Sequence, residues 1–231
     1  MQTVSVLLSP IIWVMRFVLE LAHSLVGNYG MSIIILSVGA RLATAPLAKL
    51  ARASEKQNRM RQAAMEPELA AIKSESKGRE RFERTEAVYQ RHNYHPIMAV
   101  SASLPLFLQI PFLISALLLL STYPPLSGQP FLVINDLLRP DELLILGVGR
   151  INLLPILICL TALAESAIDD ADRRTKLRFL IVTGVIAVLI YAAPAGVCLY
   201  WLTSNMLSLG RALVEQQTAA RSRRAKRMQT D

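Results

Sequence analysis

The sequence predicts an all-α integral membrane protein: a five-span helical bundle with a cytoplasmic helical hairpin and an outer amphipathic N-terminal helix. Three observations lead there. Hydrophobic residues make up 53% of the 231 positions, gathered in long runs between charged segments, as membrane spans are. The cations are unevenly divided: of 25 Lys and Arg, eleven fall from Lys49 to Arg91, four from Arg173 to Arg178 and six from Arg211 to Arg227. Assigning those three segments to the cytoplasm leaves Arg16, Arg139 and Arg150 outside and Arg41 within a span. This positive-inside asymmetry requires an odd number of spans, with the N-terminus outside and the C-terminus inside. Finally, Pro194-Ala195-Gly196 interrupts the uncharged run from Phe179 to Gly210. One long helix there would put two basic segments on opposite sides of the membrane, whereas a break returns both to the cytoplasm.

Residues 1–28 read as the outer helix, because Arg16, Glu20 and His23 share one face while Ile12, Met15, Leu19 and Leu25 lie largely elsewhere. The start lacks a basic n-region and a small-residue cleavage site, so it makes a poor signal peptide. Span one covers 29–48 and carries Arg41, with no Asp, Glu, Lys or Arg from Leu21 to Ala40 and none after it until Lys49. Entry near Met31 places Arg41 about 15 Å deep, near the bilayer midplane. A charge there costs about 2.5–3.5 kcal/mol on insertion scales, so a polar cavity, water or a partner is expected to meet it. Ser37 lies one turn earlier on the same face. Residues 49–96 form the cytoplasmic hairpin: Met65, Leu69 and Ile72 recur at helical spacing, as do Phe82 and Tyr89, and Ser74–Gly78 supplies the turn.

Span two, 97–122, carries Pro105 and Pro111 around Gln109; kinked backbone with an amide points to a face lining protein or a wet cavity. An outer loop occupies 123–147 and span three 148–168. Glu165 near its inner end is expected at the headgroups, or paired with Arg41 or Arg178. A cytoplasmic loop at 169–176 leads to the two-span hairpin at 177–213, whose arms of about 16 uncharged residues reach only about 24 Å, which implies a locally thin bilayer. In the last arm Tyr200, Trp201, Ser204 and Asn205 make an amphipathic patch. Tyr29, Tyr123 and Tyr191 fall at outer ends, as an aromatic belt would. The basic tail, 214–231, has no aromatic residue and reads as a flexible, solvated segment. It suits anionic lipid or RNA bound weakly, with no DNA readout.

No HExxH, nucleophile elbow or glycine-rich phosphate loop occurs, so no enzyme, cofactor or metal is expected. Cys159 and Cys198 both fall in spans and read as free thiols. No internal repeat accompanies the intramembrane arginine, which disfavours a small transporter or channel.

Four stretches in order carry a resemblance: HSLVGNYGMSIIILSVGARLATAPL (23–47), LPLFLQIPFLISAL (104–117), PFLVINDLLRPD (130–141) and PAGVCLYWLTSN (194–205). Together they resemble the YidC-type membrane protein insertases and their Oxa and Alb relatives. The resemblance implies a bacterial inner-membrane protein whose hydrophilic groove opens to the cytoplasm and to lipid but is closed outside. Arg41 would sit in that groove, Ser37 at a small-hydroxyl position, Trp201 beside Tyr200 at an aromatic position, and Gln109 at the family's span-two glutamine. Clients would be nascent membrane proteins. The ribosome and the Sec translocon are further expected partners, met by Arg221, Arg223, Arg224, Lys226 and Arg227, with anionic lipids at the basic loops. An assembly scaffold that holds subunits without inserting them fits the same residues. The chain departs from the family at His95-Pro96-Ile97-Met98-Ala99, where an Asn-Pro-Leu-Gly-Gly lead-in is usual, and at Asp169-Asp170.

Overall fold

The computed structural model describes residues 2–95, 104–146, 149–168 and 173–228. Two compact units emerge, one from residues 1–41 with 112–231 and one from 42–111. The architecture is predominantly helical: α1 (Gln2–Val26), α2 (Tyr29–Glu75), α3 (Gly78–Arg91), α4 (Leu104–Thr122), α5 (Leu153–Ile168), α6 (Arg173–Ile190) and α7 (Ala195–Met228). The exception among the described residues is a short antiparallel pair, β1 (Leu144–Leu146) with β2 (Gly149–Ile151), in register Leu144↔Ile151.

In the first unit, α1 ends where Gly27 takes φ +66° and its N–H returns to the His23 carbonyl at 2.8 Å. A left-handed residue there stops a helix, and glycine adopts it without a Cβ penalty. Asn28 then starts α2, its Oδ1 accepting the Met31 N–H at 3.1 Å, an N-cap bond. Leu8, Met15, Leu19 and Ala22 turn one face of α1 into the core. The uncovered face is apolar too, with Trp13, Phe17, Leu21 and Leu25 exposed. Its charges are neutralised locally: Arg16 Nε meets Glu20 at 2.8 Å, and the Tyr123 hydroxyl donates to Glu20 at 2.9 Å. Burial, with the Glu20 carboxylate beside it, pushes the Tyr123 phenol up to about 12, so it stays a donor at neutral pH. Tyr29 meets Tyr123 edge-on and stacks on His23.

The core sits at this end of the bundle, where Leu19, Ile33, Leu36 and Leu120 enclose the connection after α4. That connection is built as a plug. Leu126 and Leu137 are completely buried within it, and its backbone caps α7. The Ala195 N–H donates to the Arg139 carbonyl at 2.7 Å and the Gly196 N–H to the Leu137 carbonyl at 2.8 Å. Two of the N–H groups that a helix start leaves orphaned are thereby satisfied.

Asp141 does the same for α5. Its Oδ2 accepts the Leu153 and Leu154 N–H groups at 2.6 and 3.1 Å, and the side chain is buried. A carboxylate at a helix N-terminus also meets the positive end of the helix dipole. Next to it, Asn152 donates to the Tyr191 carbonyl at 2.7 Å and accepts the Glu142 N–H at 3.0 Å. Helix therefore starts at Leu153. Asp141→Ala is expected to cost about 3 kcal/mol, because two buried donors lose a charged acceptor. A melting temperature in detergent should fall accordingly, and less for Asp141→Asn; an unchanged value for the alanine variant would sink the capping account.

Between α6 and α7 the chain turns over Tyr191–Pro194, where the sequence breaks at Pro194. Both cysteines are free, and Cys198 is buried. The basic segment, expected to be flexible, continues α7 as helix to Met228. Alanine, arginine and glutamine dominate there, and all three are good helix formers.

The second unit centres on Met65, Val88 and Tyr94, with Leu69, Ile72 and Tyr89 packed against them. Gln62 donates to the Tyr94 hydroxyl at 2.8 Å, and Glu68 accepts from Arg91 and pairs with His92, both at 3.1 Å. The apolar stripe from Met65 to Ile72 thus meets Tyr89, whereas Phe82 points outward, 68% exposed.

Candidate functional site

The first part of α2 brings its polar residues to α7. The Ser37 hydroxyl donates to the Tyr200 carbonyl at 2.9 Å, a bond spanning 163 residues of sequence, and both side chains are buried. Tyr200 also accepts the helical bond from Ser204, so Ser37 uses the carbonyl's second lone pair. One turn beyond Ser37, Arg41 is half-buried with its Nε shielded from solvent. Its guanidinium lies close enough to Tyr200 to act on it electrostatically. Helical spacing makes Ser37 and Arg41 neighbours, and the Ser37 bond fixes the α2 face that carries both against α7.

The same face of α7 continues away from that bond. Ser204 is buried, Asn205 Nδ2 donates to the Ile158 carbonyl at 3.4 Å, and the Ser208 hydroxyl donates to Glu165. Glu165 therefore belongs to the α5–α7 contact, the most extensive helix pairing among the described residues. Ser208 lies two turns past Tyr200, so Glu165 finds its hydrogen-bond partner on the facing helix.

Trp201, next to Tyr200, is half-buried against the core cluster. Gln109 lies in α4, and its side chain is outside the described residues. Arg221 is exposed on α7; the side chains of Arg223, Arg224, Lys226 and Arg227 lie outside the described residues, although their backbone is helical. Positions 96–99 and 169–170, where the sequence departs from the family pattern, also lie outside them. The structure thus joins Ser37 to Tyr200 directly, carries Arg41 one turn further along the same helix, has Trp201 next to Tyr200 in the chain, and leaves the Gln109 side chain outside the described residues. Ser208 was not anticipated from the sequence, although the spacing Tyr200, Ser204, Ser208 runs along one helical face. Asp141 and Asn152 carried no local signal.

Ser37→Ala is expected to cost about 0.5–1.5 kcal/mol, since the Tyr200 carbonyl keeps its helical partner and no orphan is created. Thermal unfolding in detergent checks this; a loss as large as that of a buried unsatisfied group would mean the serine does more than bridge.

Comparison with known proteins extends over most of the chain. The family model described as 60Kd inner membrane protein matches residues 21–222. Membrane protein insertase YidC of Polynucleobacter asymbioticus is 29% identical over 212 residues, covering 90% of this chain and 35% of the relative. Membrane protein insertase YidC of Neisseria meningitidis serogroup B is 31% identical over 206 residues, covering 88% of this chain and 35% of the relative. The chain spans about a third of the length of these curated relatives. A solved structure, "Active YidC insertase crystal structure with the first transmembrane domain resolved", superposes with a TM-score of 0.55 at 17% identity, covering 89% of this chain and 45% of that one. With residues 21–222 matched, the chain belongs to the 60Kd inner membrane protein family, the YidC/Oxa/Alb group, whose YidC-named relatives here are bacterial.

Proposed function

We propose that the chain is a membrane protein insertase and chaperone that helps client helices and their short polar tails enter and cross the bilayer through a hydrophilic groove containing Arg41. The observation that carries this reading is a half-buried arginine in the otherwise uncharged first part of α2, held one turn from the buried Ser37–Tyr200 bond. Five spans are assigned: the first part of α2, then α4, α5, α6 and the first part of α7. The N-terminus lies outside and the C-terminus in the cytoplasm. On this topology α1 lies at the outer surface, its Arg16–Glu20 pair near headgroups and Trp13 and Phe17 toward acyl chains. The pair formed by α3 and the end of α2 projects into the cytoplasm. The basic end of α7, with Arg221, meets anionic lipid or the ribosome, and the Sec translocon is a further partner.

The mechanism follows from the cost of moving polar groups through hydrocarbon. Each unpaired polar group of a client tail costs several kcal/mol in the lipid core. A wet recess reaching Arg41 shortens that path, and so does a thin bilayer. The 16 residues of α5 reach only about 24 Å at 1.5 Å each, against a hydrocarbon core of about 30 Å. In a low-dielectric recess the Arg41 charge attracts acidic tails more strongly than in water, while the client's apolar helix leaves sideways into lipid. No nucleotide is required.

The test is insertion into liposomes that contain only the purified full chain. A ribosome-made single-span client with a short acidic tail is scored by protease protection. Protection well above that of empty liposomes is expected. Equal protection with and without the protein would remove the insertase reading in favour of an assembly scaffold, and solute flux without protection would favour a transporter.

A further inference from the structure

The tip of the connection after α4 is apolar and uncovered. Phe131 and Ile134 exchange two backbone hydrogen bonds, both 2.9 Å, and their side chains are buried in the core. Between them Leu132 and Val133 form a two-residue turn, 87% and 71% exposed. Leu132 takes φ +51°, a left-handed conformation that turns normally assign to glycine, asparagine or aspartate. Two large apolar side chains on a strained turn gain nothing from the protein itself, so their favourable contacts must come from outside it.

The height of the tip identifies those contacts. A Cβ placed on Gly30 would lie 2.0 Å from Phe131 Cγ, so the Phe131 ring rests directly on Gly30. Gly30 is the second residue of the apolar stretch Tyr29–Ala51, long enough to cross a membrane. The turn therefore stands level with the first helical turn of a span, where water gives way to lipid. Tyr123 meets Tyr29 edge-on beside Gly30, and further along the same connection the exposed Arg139 pairs with Asp136. A protein partner would need roughly 800 Å² on each side for a stable interface, far more than two side chains offer. Insertion between lipids needs no complementary surface.

We propose that Leu132 and Val133 form a wedge that enters the interfacial layer of the leaflet at this end, the outer leaflet on the topology above. The wedge anchors to lipid the same connection whose carbonyls cap α7, so the closed end of the bundle is held at a fixed depth. The proposal rests on the span assigned to α2 and is independent of insertase activity.

Single cysteines at Leu132, Val133 and, as a reference, the exposed Val185 of α6 test it, each in a Cys159→Ser background. Cys198, 1% exposed, remains in place. Each variant of the full chain carries an environment-sensitive nitrobenzoxadiazole label in phosphatidylcholine–phosphatidylglycerol liposomes. Labels at 132 and 133 should shift to shorter emission wavelength and be quenched several-fold more by doxyl-labelled lipid than by aqueous iodide, as the Val185 label should be. Iodide quenching at 132 and 133 with lipid quenching at Val185 would overturn the wedge and leave the spans intact. Shielding of the tip from both quenchers would mean that protein covers it, which also overturns the wedge. Loss of lipid quenching at all three positions would remove the span assignment itself.

Discussion

Arg41→Ala lowers insertion of an acidic-tailed client by about tenfold or more, equivalent to at least about 1.4 kcal/mol of lost stabilisation along the crossing. Opposite charges about 4 Å apart interact by about 4 kcal/mol at an effective dielectric constant of 20, so even a partly screened contact is enough. Clients with neutral tails should lose less, and Arg41→Lys should keep much of the activity for acidic tails. An equal loss across acidic and neutral clients would count against the electrostatic step. Stability supplies an independent reading. A charge near the midplane costs about 2.5–3.5 kcal/mol on insertion scales, so removing it should leave the melting temperature unchanged or raise it. A residue kept for function at the expense of stability behaves in this way. If alanine instead lowers the melting temperature as much as it lowers insertion, Arg41 is a structural group and the groove loses its main support.

Much of this site was legible in the sequence because its signals are local. A single arginine in an uncharged run, a serine one turn earlier and a proline break between apolar arms depend only on helical periodicity and on the cost of burying charge. The stripe of Met65, Leu69 and Ile72 was legible for the same reason and is packed as its spacing implies. What the sequence concealed was set by pairings between distant positions. Glu165 is expected at the headgroups or paired with Arg41 or Arg178, and the serine that bonds to it comes from α7. Asp141 looks like an ordinary loop acid until the start of α5 is brought to it. Phe82 has the spacing of a packed residue, yet the hydrophobic cluster of its unit closes around Val88, Tyr89 and Tyr94 instead. Helix propensity outweighed charge in the basic segment, which a run of arginines alone would have marked as irregular.

Gly30→Ala is expected to be the most destabilising single-methyl change in the described structure. The added carbon would sit 2.0 Å from Phe131 Cγ and 2.1 Å from Cδ2, well inside any van der Waals contact. The helix backbone at Gly30 cannot retreat without breaking the turn capped by Asn28, so the ring must leave. Phe131 is 7% exposed, and exposing a buried phenylalanine costs about 1.5–3 kcal/mol. Its departure also strains the two bonds to Ile134, so the total loss should reach about 3–5 kcal/mol, above the usual range for overpacking. Phe131→Ala alone should cost about 3–5 kcal/mol through the cavity it leaves. The pair decides the cause. With the ring gone, the alanine at position 30 has room, so the double variant should be little worse than Phe131→Ala, a coupling of more than about 2 kcal/mol where independent sites add to within about 0.5 kcal/mol. Additive losses in detergent melting would show that Gly30 is needed for another reason. Coupled losses, accompanied by faster proteolysis between Pro124 and Asp141, would show that the glycine exists to let Phe131 seat the plug that closes this end of the bundle.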